Sequence, residues 1–179
     1  MQKHRELRRS IRDQIEALFE TPPAESGMAA FNVYHDSDYR TVDFIPTAPY
    51  IYLLDSFQPP VATRFDRQYP QVVIEIDRYA GQPFEIGNRH GRVINCLISI
   101  FGRNRGERDD LGAFIADYFG TKLAVRTYPT ASSAGTIIEE ALLDDEIVVQ
   151  DEFTPRLELV TNGSLVGWTT VAFVARPKL

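Results

Sequence analysis

A chain of 179 residues, at roughly 150 per domain, predicts one domain or a domain with a sizeable insertion. Hydrophobic residues at 44%, charged residues at 25%, and 11 Gly with 11 Pro exclude collagen-like, fully disordered and disulfide-scaffold classes. A net charge of -6 excludes a surface given over wholly to phosphate backbones, though not a local basic patch, and the single Cys96 excludes an intrachain disulfide or a Cys-rich metal site.

The first residues, Met1 to Glu6, alternate charge instead of opening an apolar signal core, so no secretory segment is expected. No run approaches the roughly 20 apolar residues of a membrane span. From His4 to Glu20, Leu7, Ile11, Ile15, Leu18 and Phe19 recur at helical spacing, with Arg5, Arg8, Arg9 and Arg12 mostly off that stripe. This predicts a surface helix with one buried face, ended by Thr21-Pro22-Pro23 because proline lacks the amide that a further turn needs. The arginines read as a solvated face paired with Glu6, Asp13, Glu16 and Glu20.

Residues 24–70 are rich in proline and aromatics, with strand-like runs at Val42-Asp43-Phe44 and Tyr50-Ile51-Tyr52-Leu53. A structureless loop of that length does not suit a compact domain, so an extended arm or hairpin insertion is expected. Its aromatics read as cover for a sheet edge or as an interface, with base stacking as the alternative. Val72 to Asp77 then reads as a strand with Val72, Ile74 and Ile76 on one face. Arg92 to Phe101 reads as a central strand, with Ile94, Cys96, Ile98 and Ile100 on one face and Val93, Leu97 and Phe101 on the other. The Gly- and Pro-bearing connection between them suits an antiparallel turn.

Gly102 to Gly106 forms a basic loop before a second helix, Asp109 to Phe119, whose stripe is Leu111, Phe114, Ile115, Tyr118 and Phe119, with Gly120 as its C-terminal cap or Lys122-Leu123 extending it by a turn. Thr136 to Leu143 is open between helix and strand, and Ile147-Val148-Val149 is extended. Residues 156–176 predict a C-terminal β-hairpin, because Asn162-Gly163 readily supplies the positive backbone angles of a type I′ turn. The fold class expected is α+β: an antiparallel or mixed sheet with two main helices packed on one face.

Chemistry is harder to find. His4, His35 and His90 stand at no zinc-ligand spacing, and Ser164 sits in a hairpin turn rather than a nucleophile elbow. Cys96 falls mid-strand, where a thiol is a small core residue. The acidic runs assign no general acid, and Gly102 to Gly106 lacks the Lys-Ser/Thr of a phosphate loop. No catalytic residue, cofactor or metal is therefore expected, and the reading is not an enzyme.

Charge is partitioned instead. Residues 89–108 hold Arg89, Arg92, Arg103, Arg105 and Arg108 against Glu107, while residues 139–152 hold seven acids and no Lys or Arg. Opposite patches suit head-to-tail self-association, which closes into a ring where the rotation allows; neutralisation within the chain is the alternative. The candidate interface or lumen residues are Arg103, Arg105 and Arg108, with Asp144, Asp145 and Glu146 to receive them.

Phe84-Glu85-Ile86-Gly87-Asn88-Arg89-His90-Gly91-Arg92-Val93, Ile98-Ser99-Ile100-Phe101-Gly102-Arg103-Asn104-Arg105 and Leu111-Gly112-Ala113-Phe114-Ile115 together resemble the tail terminator (tail completion or neck) proteins of tailed bacteriophages. In that family a polar turn leads into a strand ending in an Ile-Phe-small-x-Asn-like segment, then a helix beginning Asp-Leu-Ala/Gly. The resemblance spans residues 71–125, and 145–177 more loosely. It implies a structural virion protein whose homo-hexameric ring caps the tail tube and joins it to the head connector, with host cytoplasm as the place of assembly. The implied partners are a second copy of the chain, tail tube protein and head–tail connector proteins, with non-specific contact to passing genomic DNA and no membrane. A head–tail connector or sheath-capping protein is the neighbouring reading, and a small ligand-binding domain or enzyme the more distant one.

Overall fold

The apolar stripe of the N-terminal segment forms helix α1, Gln2–Glu20, in the computed structural model, which describes residues 2–35, 38, 45–55, 69–83, 90–119, 122–128, 136–143, 148–152 and 168–177. Ile11, Ile15, Leu18 and Phe19 on that stripe are buried. The Thr21 N–H donates to the Ala17 carbonyl at 2.9 Å, and Pro22 and Pro23 then offer no amide to continue. A 3-10 turn, Ala24–Ser26, and Gly27 at φ 68°, a left-handed conformation open to glycine without steric cost, reverse the chain. Phe31 returns against the helix, its N–H donating to the Phe19 carbonyl at 2.9 Å and its ring meeting that of Phe19 edge to face at 5.5 Å.

Among the described residues eight strands build one mixed sheet: β1 (Asn32–His35), β2 (Tyr50–Leu54), β3 (Gln71–Pro83), β4 (His90–Phe101), β5 (Lys122–Thr127), β6 (Thr136–Leu143), β7 (Val148–Glu152) and β8 (Trp168–Pro177). Their order is β1-β2-β3-β4-β8-β6-β5, with β7 also on β8. β1, β2 and β3 run parallel and the remaining pairs antiparallel. β4 is central, as its apolar residues on both faces predict. Strand alternation sends Ile51, Leu53, Val72, Ile74, Ile76, Cys96, Ile98 and Ile100 to one face, where they meet α1 and the second helix, α2 (Arg105–Phe119). Leu111, Ile115 and Phe119 of α2 join Ile11, Ile15, Leu18 and Phe19 of α1 in that core, so both helices cover the same face and the class is α+β. Each fully buried Leu, Ile or Phe there contributes about 1.5–3 kcal/mol of transfer free energy.

Helix α2 starts at Arg105, earlier than the acid-rich turn suggested, because Asn104 caps it. The Asn104 side-chain oxygen accepts from the Glu107 N–H at 2.9 Å, and the Glu107 carboxylate reaches back to accept from the Arg103 N–H at 2.6 Å. This is a capping box shifted by one residue.

The aromatic stretch of residues 24–70 departs from the expected arm or hairpin in its described part. β1 and β2 join the main sheet in parallel, Asn32 opposite Tyr50 and Tyr52 opposite Gln71, whereas a hairpin requires antiparallel arms. The reason lies in Tyr50-Ile51-Tyr52-Leu53-Leu54, every residue of which is buried: a strand apolar on both faces belongs inside a sheet. Val42 to Phe44 lie outside the described residues, as do Gly120, the Asn162-Gly163 turn and the first arm of the C-terminal hairpin. The second arm is β8, which pairs with β4, β6 and β7. The segment left open between helix and strand is strand β6.

Strands β3 and β4 pair from Gln71 opposite Phe101 to Pro83 opposite His90, with a register shift between Ile76 and Arg78. On the outer side of β3 strand β2 reaches only Val73, and on the outer side of β4 strand β8 reaches only Ile94. Residues 80–83 and 90–93 are thus a two-stranded ribbon running past the helix-covered body, among the described residues.

Candidate interaction surfaces

The three arginines grouped by sequence do three different things. Arg103 has partners within the chain: its guanidinium donates to the Tyr69 carbonyl at 2.6 Å and to the Glu107 carboxylate at 3.1 Å, and lies 5.0 Å from the Tyr50 ring centre. Arg108 is buried, with its stem pressed against Gly102, where an added Cβ would stand 2.8 Å from Arg108 Cγ. Arg105 has a side chain 73% exposed and bridges to Asp109 at 3.4 Å, while Asp109 also accepts from the Thr169 hydroxyl of β8 at 3.1 Å. Of the three, Arg105 has the most exposed side chain, with Arg103 at 46% and Arg108 buried. Asp144, Asp145 and Glu146, the acids expected to receive them, lie outside the described residues.

The groups weighed for chemistry are structural where described. Cys96 is a buried core residue, and burial pushes its thiol far above the ordinary range, with the Arg8 charge pulling more weakly the other way. His35 Nε2 stands 3.2 Å from Glu16 Oε1, tying β1 to α1. Ser164 and the side chains of His4 and His90 lie outside the described residues. Among the described residues no group of three His, Cys, Asp or Glu is placed to hold a metal ion.

A seam that the sequence did not announce joins α1 to β5. Ser10 donates to the Ala124 carbonyl at 2.8 Å and accepts from the Arg126 N–H at 3.2 Å, so a helix side chain supplies edge strand β5 with the partners that another strand would have given. Gln14, also buried, donates to the Ala124 carbonyl at 2.9 Å and to the Ser10 carbonyl at 2.8 Å. The Tyr128 hydroxyl donates to Asp13 at 2.8 Å, and the Arg9 guanidinium lies 4.0 Å over the Tyr128 ring. Burial first, then the Asp13 hydrogen bond and charge, push the Tyr128 phenol up to about 12. The legible signal was Ser10 and Gln14, two polar residues one turn apart beside the apolar stripe.

These surroundings leave α1 basic in its first half. From Lys3 to Arg12 the sequence carries five Lys and Arg against Glu6. Arg126 of β5 lies nearby through its N–H on Ser10, and among the described residues Asp13 stands 3.8 Å from Arg9 and 3.7 Å from Arg12, and Asp55 3.9 Å from Arg12. These pairs lie near the long limit of an ion pair, on side chains 20–43% exposed.

At the other end of α1 an open cleft of about 570 Å³ separates the 23–28 turn from the outer face of α2. Leu18, Met28 and Phe114 line it with Tyr118, itself 43% exposed, and the small Ala113 leaves the room. Its charged lining is wholly acidic: Glu25, Asp110 and Asp117.

Comparison with known protein families and with curated protein sequences finds no match for this chain. No described helix is long and apolar enough to cross a membrane.

Proposed function

We propose that this chain is a ring-forming structural protein of a phage neck, a tail terminator that caps the tail tube and joins it to the head connector. The observation that carries the reading is the β3–β4 ribbon. A two-stranded ribbon is marginal in water by itself, so residues 80–83 and 90–93 fit a role in contact with a neighbouring subunit or with the tube. The residues behind the family resemblance also have physical work in this chain. Gly102 is the small residue that the close approach of Arg108 requires, and Asn104 is the cap that starts α2 directly after the central strand. In this reading the protein works in the virion neck after assembly in the host cytoplasm, its partners are copies of itself, the tube protein and the connector, and passing DNA is met without sequence preference.

The test is native mass spectrometry of the purified chain with electron microscopy of the chain added to purified tail tubes. Six-fold rings, free or seated on tube ends, are the expected result. Monomers at high concentration together with bare tube ends would overturn the proposal. Rings that bind isolated connectors or sheath, and leave tube ends bare, select another neck component instead.

A further inference from the structure

The acidic cleft and the basic half of α1 lie at opposite ends of one helix and carry opposite charge. We infer that they are the two halves of one head-to-tail interface: the cleft of each subunit receives the arginine-bearing face of a second copy. The inference rests on the ring reading above and names the surface that would close it.

Three features support this occupant. The cleft brings Glu25, Asp110 and Asp117 together with no cation in its lining, and among the described residues none of the three forms an ion pair. Between these carboxylates lie Phe114, Met28 and the exposed ring of Tyr118, apolar surface of the kind that covers arginine stems and stacks on guanidinium planes. The same chain supplies a matching surface. Arg9 and Arg12 keep 24% and 29% of their side chains exposed on α1, and Arg126 lies beside them on β5, where Ser10 binds its backbone.

The two surfaces suit a head-to-tail contact. Arg9 and Leu18 are nine residues apart, about 13 Å along the helix axis at 1.5 Å per residue, so donor and acceptor surfaces are different places on the subunit. A head-to-tail contact between them closes into a ring where the rotation allows, whereas the same two surfaces paired reciprocally about a two-fold would stop at a dimer. Arg105, outside this pair of surfaces, is then left to the tube, the connector or the lumen.

Charge reversal separates the possibilities. In the full chain, Asp110→Lys with Asp117→Lys reverses the cleft, and Arg12→Glu with Arg126→Glu reverses the basic face. Each pair should lower the ring population at least tenfold in native mass spectrometry, with circular dichroism spectra still those of the folded chain. Mixing the two variants in equal amounts should rebuild rings of alternating composition, and one chain carrying all four changes should recover most of the wild-type ring population. If either pair melts early, Asp117→Asn and Arg126→Gln replace it, with a several-fold loss expected. A wild-type ring indifferent to these changes, or two ring-deficient variants that do not rescue one another, overturns this interface and leaves the ring standing. A wild type that makes no ring, alone or on tubes, overturns both.

Discussion

The two faces of the sheet solve the same burial problem with different chemistry. Under the helices, Ile, Val and Leu of β2, β3, β4 and β8 interdigitate with the stripes of α1 and α2, and Cys96 is the softest group among them. The opposite face gathers Tyr50, Tyr52, Leu54, Tyr69, Val73, Phe101 and Trp168, with Phe101 and Trp168 stacked at 5.9 Å. It also holds polar groups. Gln71 sits between Tyr52 of β2 and Phe101 of β4, fully buried, and its amide nitrogen and oxygen find no hydrogen-bond partner among the described residues. Arg103 lies over Tyr50 at the rim. Aliphatic side chains fill the helix face, whose buried polar groups Ser10 and Gln14 are hydrogen-bonded, whereas the aromatic face gains area from large rings and holds an amide with no partner among the described residues.

The largest effect should come from opening the helix face. Ile98→Ala, at a position with no exposed surface, is expected to cost about 2–5 kcal/mol in denaturant unfolding, the transfer loss plus a cavity. A loss below about 1 kcal/mol would place Ile98 outside a packed core. Next is the turn that links the central strand to α2. Gly102→Ala drives a methyl to 2.8 Å from Arg108 Cγ, and the shift of stem and cap should cost about 1–3 kcal/mol. A wild-type melting temperature would mean that the turn has slack.

On the aromatic face the sign should reverse. Gln71→Leu removes an amide that has no partner among the described residues and keeps the volume, so stability should hold or rise by about 1 kcal/mol. A loss above about 1 kcal/mol would show that the amide is bonded in the folded protein, and the contrast between faces would shrink.

The smallest effect is confined to alkaline solution. The Tyr128 phenol moves from 10.0 to about 12 on folding, so between those values the unfolded state has released a proton that the folded state retains. The contribution is complete below pH 10 and is lost as pH rises through 12, because the unfolded state binds fewer protons across that window. Buried Cys96 acts in the same direction, so the informative quantity is the difference between wild type and Tyr128→Phe, whose stability should fall less steeply with pH. Parallel curves would show that folding does not raise the Tyr128 phenol.

Much of the helix face was legible because its signals are periodic and local. Ile11, Ile15, Leu18 and Phe19 repeat every three to four residues, Val72, Ile74 and Ile76 every two, and two prolines stop α1, so no distant contact was needed to read them. The start of α2 lies a turn before the one its acids predict, since acids in a first turn are a weaker signal than the Asn104 side chain that satisfies an orphaned amide. The parallel pairing of β1 and β2 was not legible, because pairing direction is set by crossover connections and residues far along the chain.

The candidate surfaces divide the same way. Sequence alone determined the α+β class, the central place of β4, the core role of Cys96 and the uneven charge, all of which follow from residue type and spacing. Only the tertiary structure decided that Arg103 turns inward to a carbonyl, that Arg108 is buried while Arg105 stays in solvent, and that Glu25 meets Asp110 and Asp117 across one cleft. The reason is physical: spacing says which residues share a face of one element, but a site is made where faces of separate elements meet, and that depends on how those elements pack.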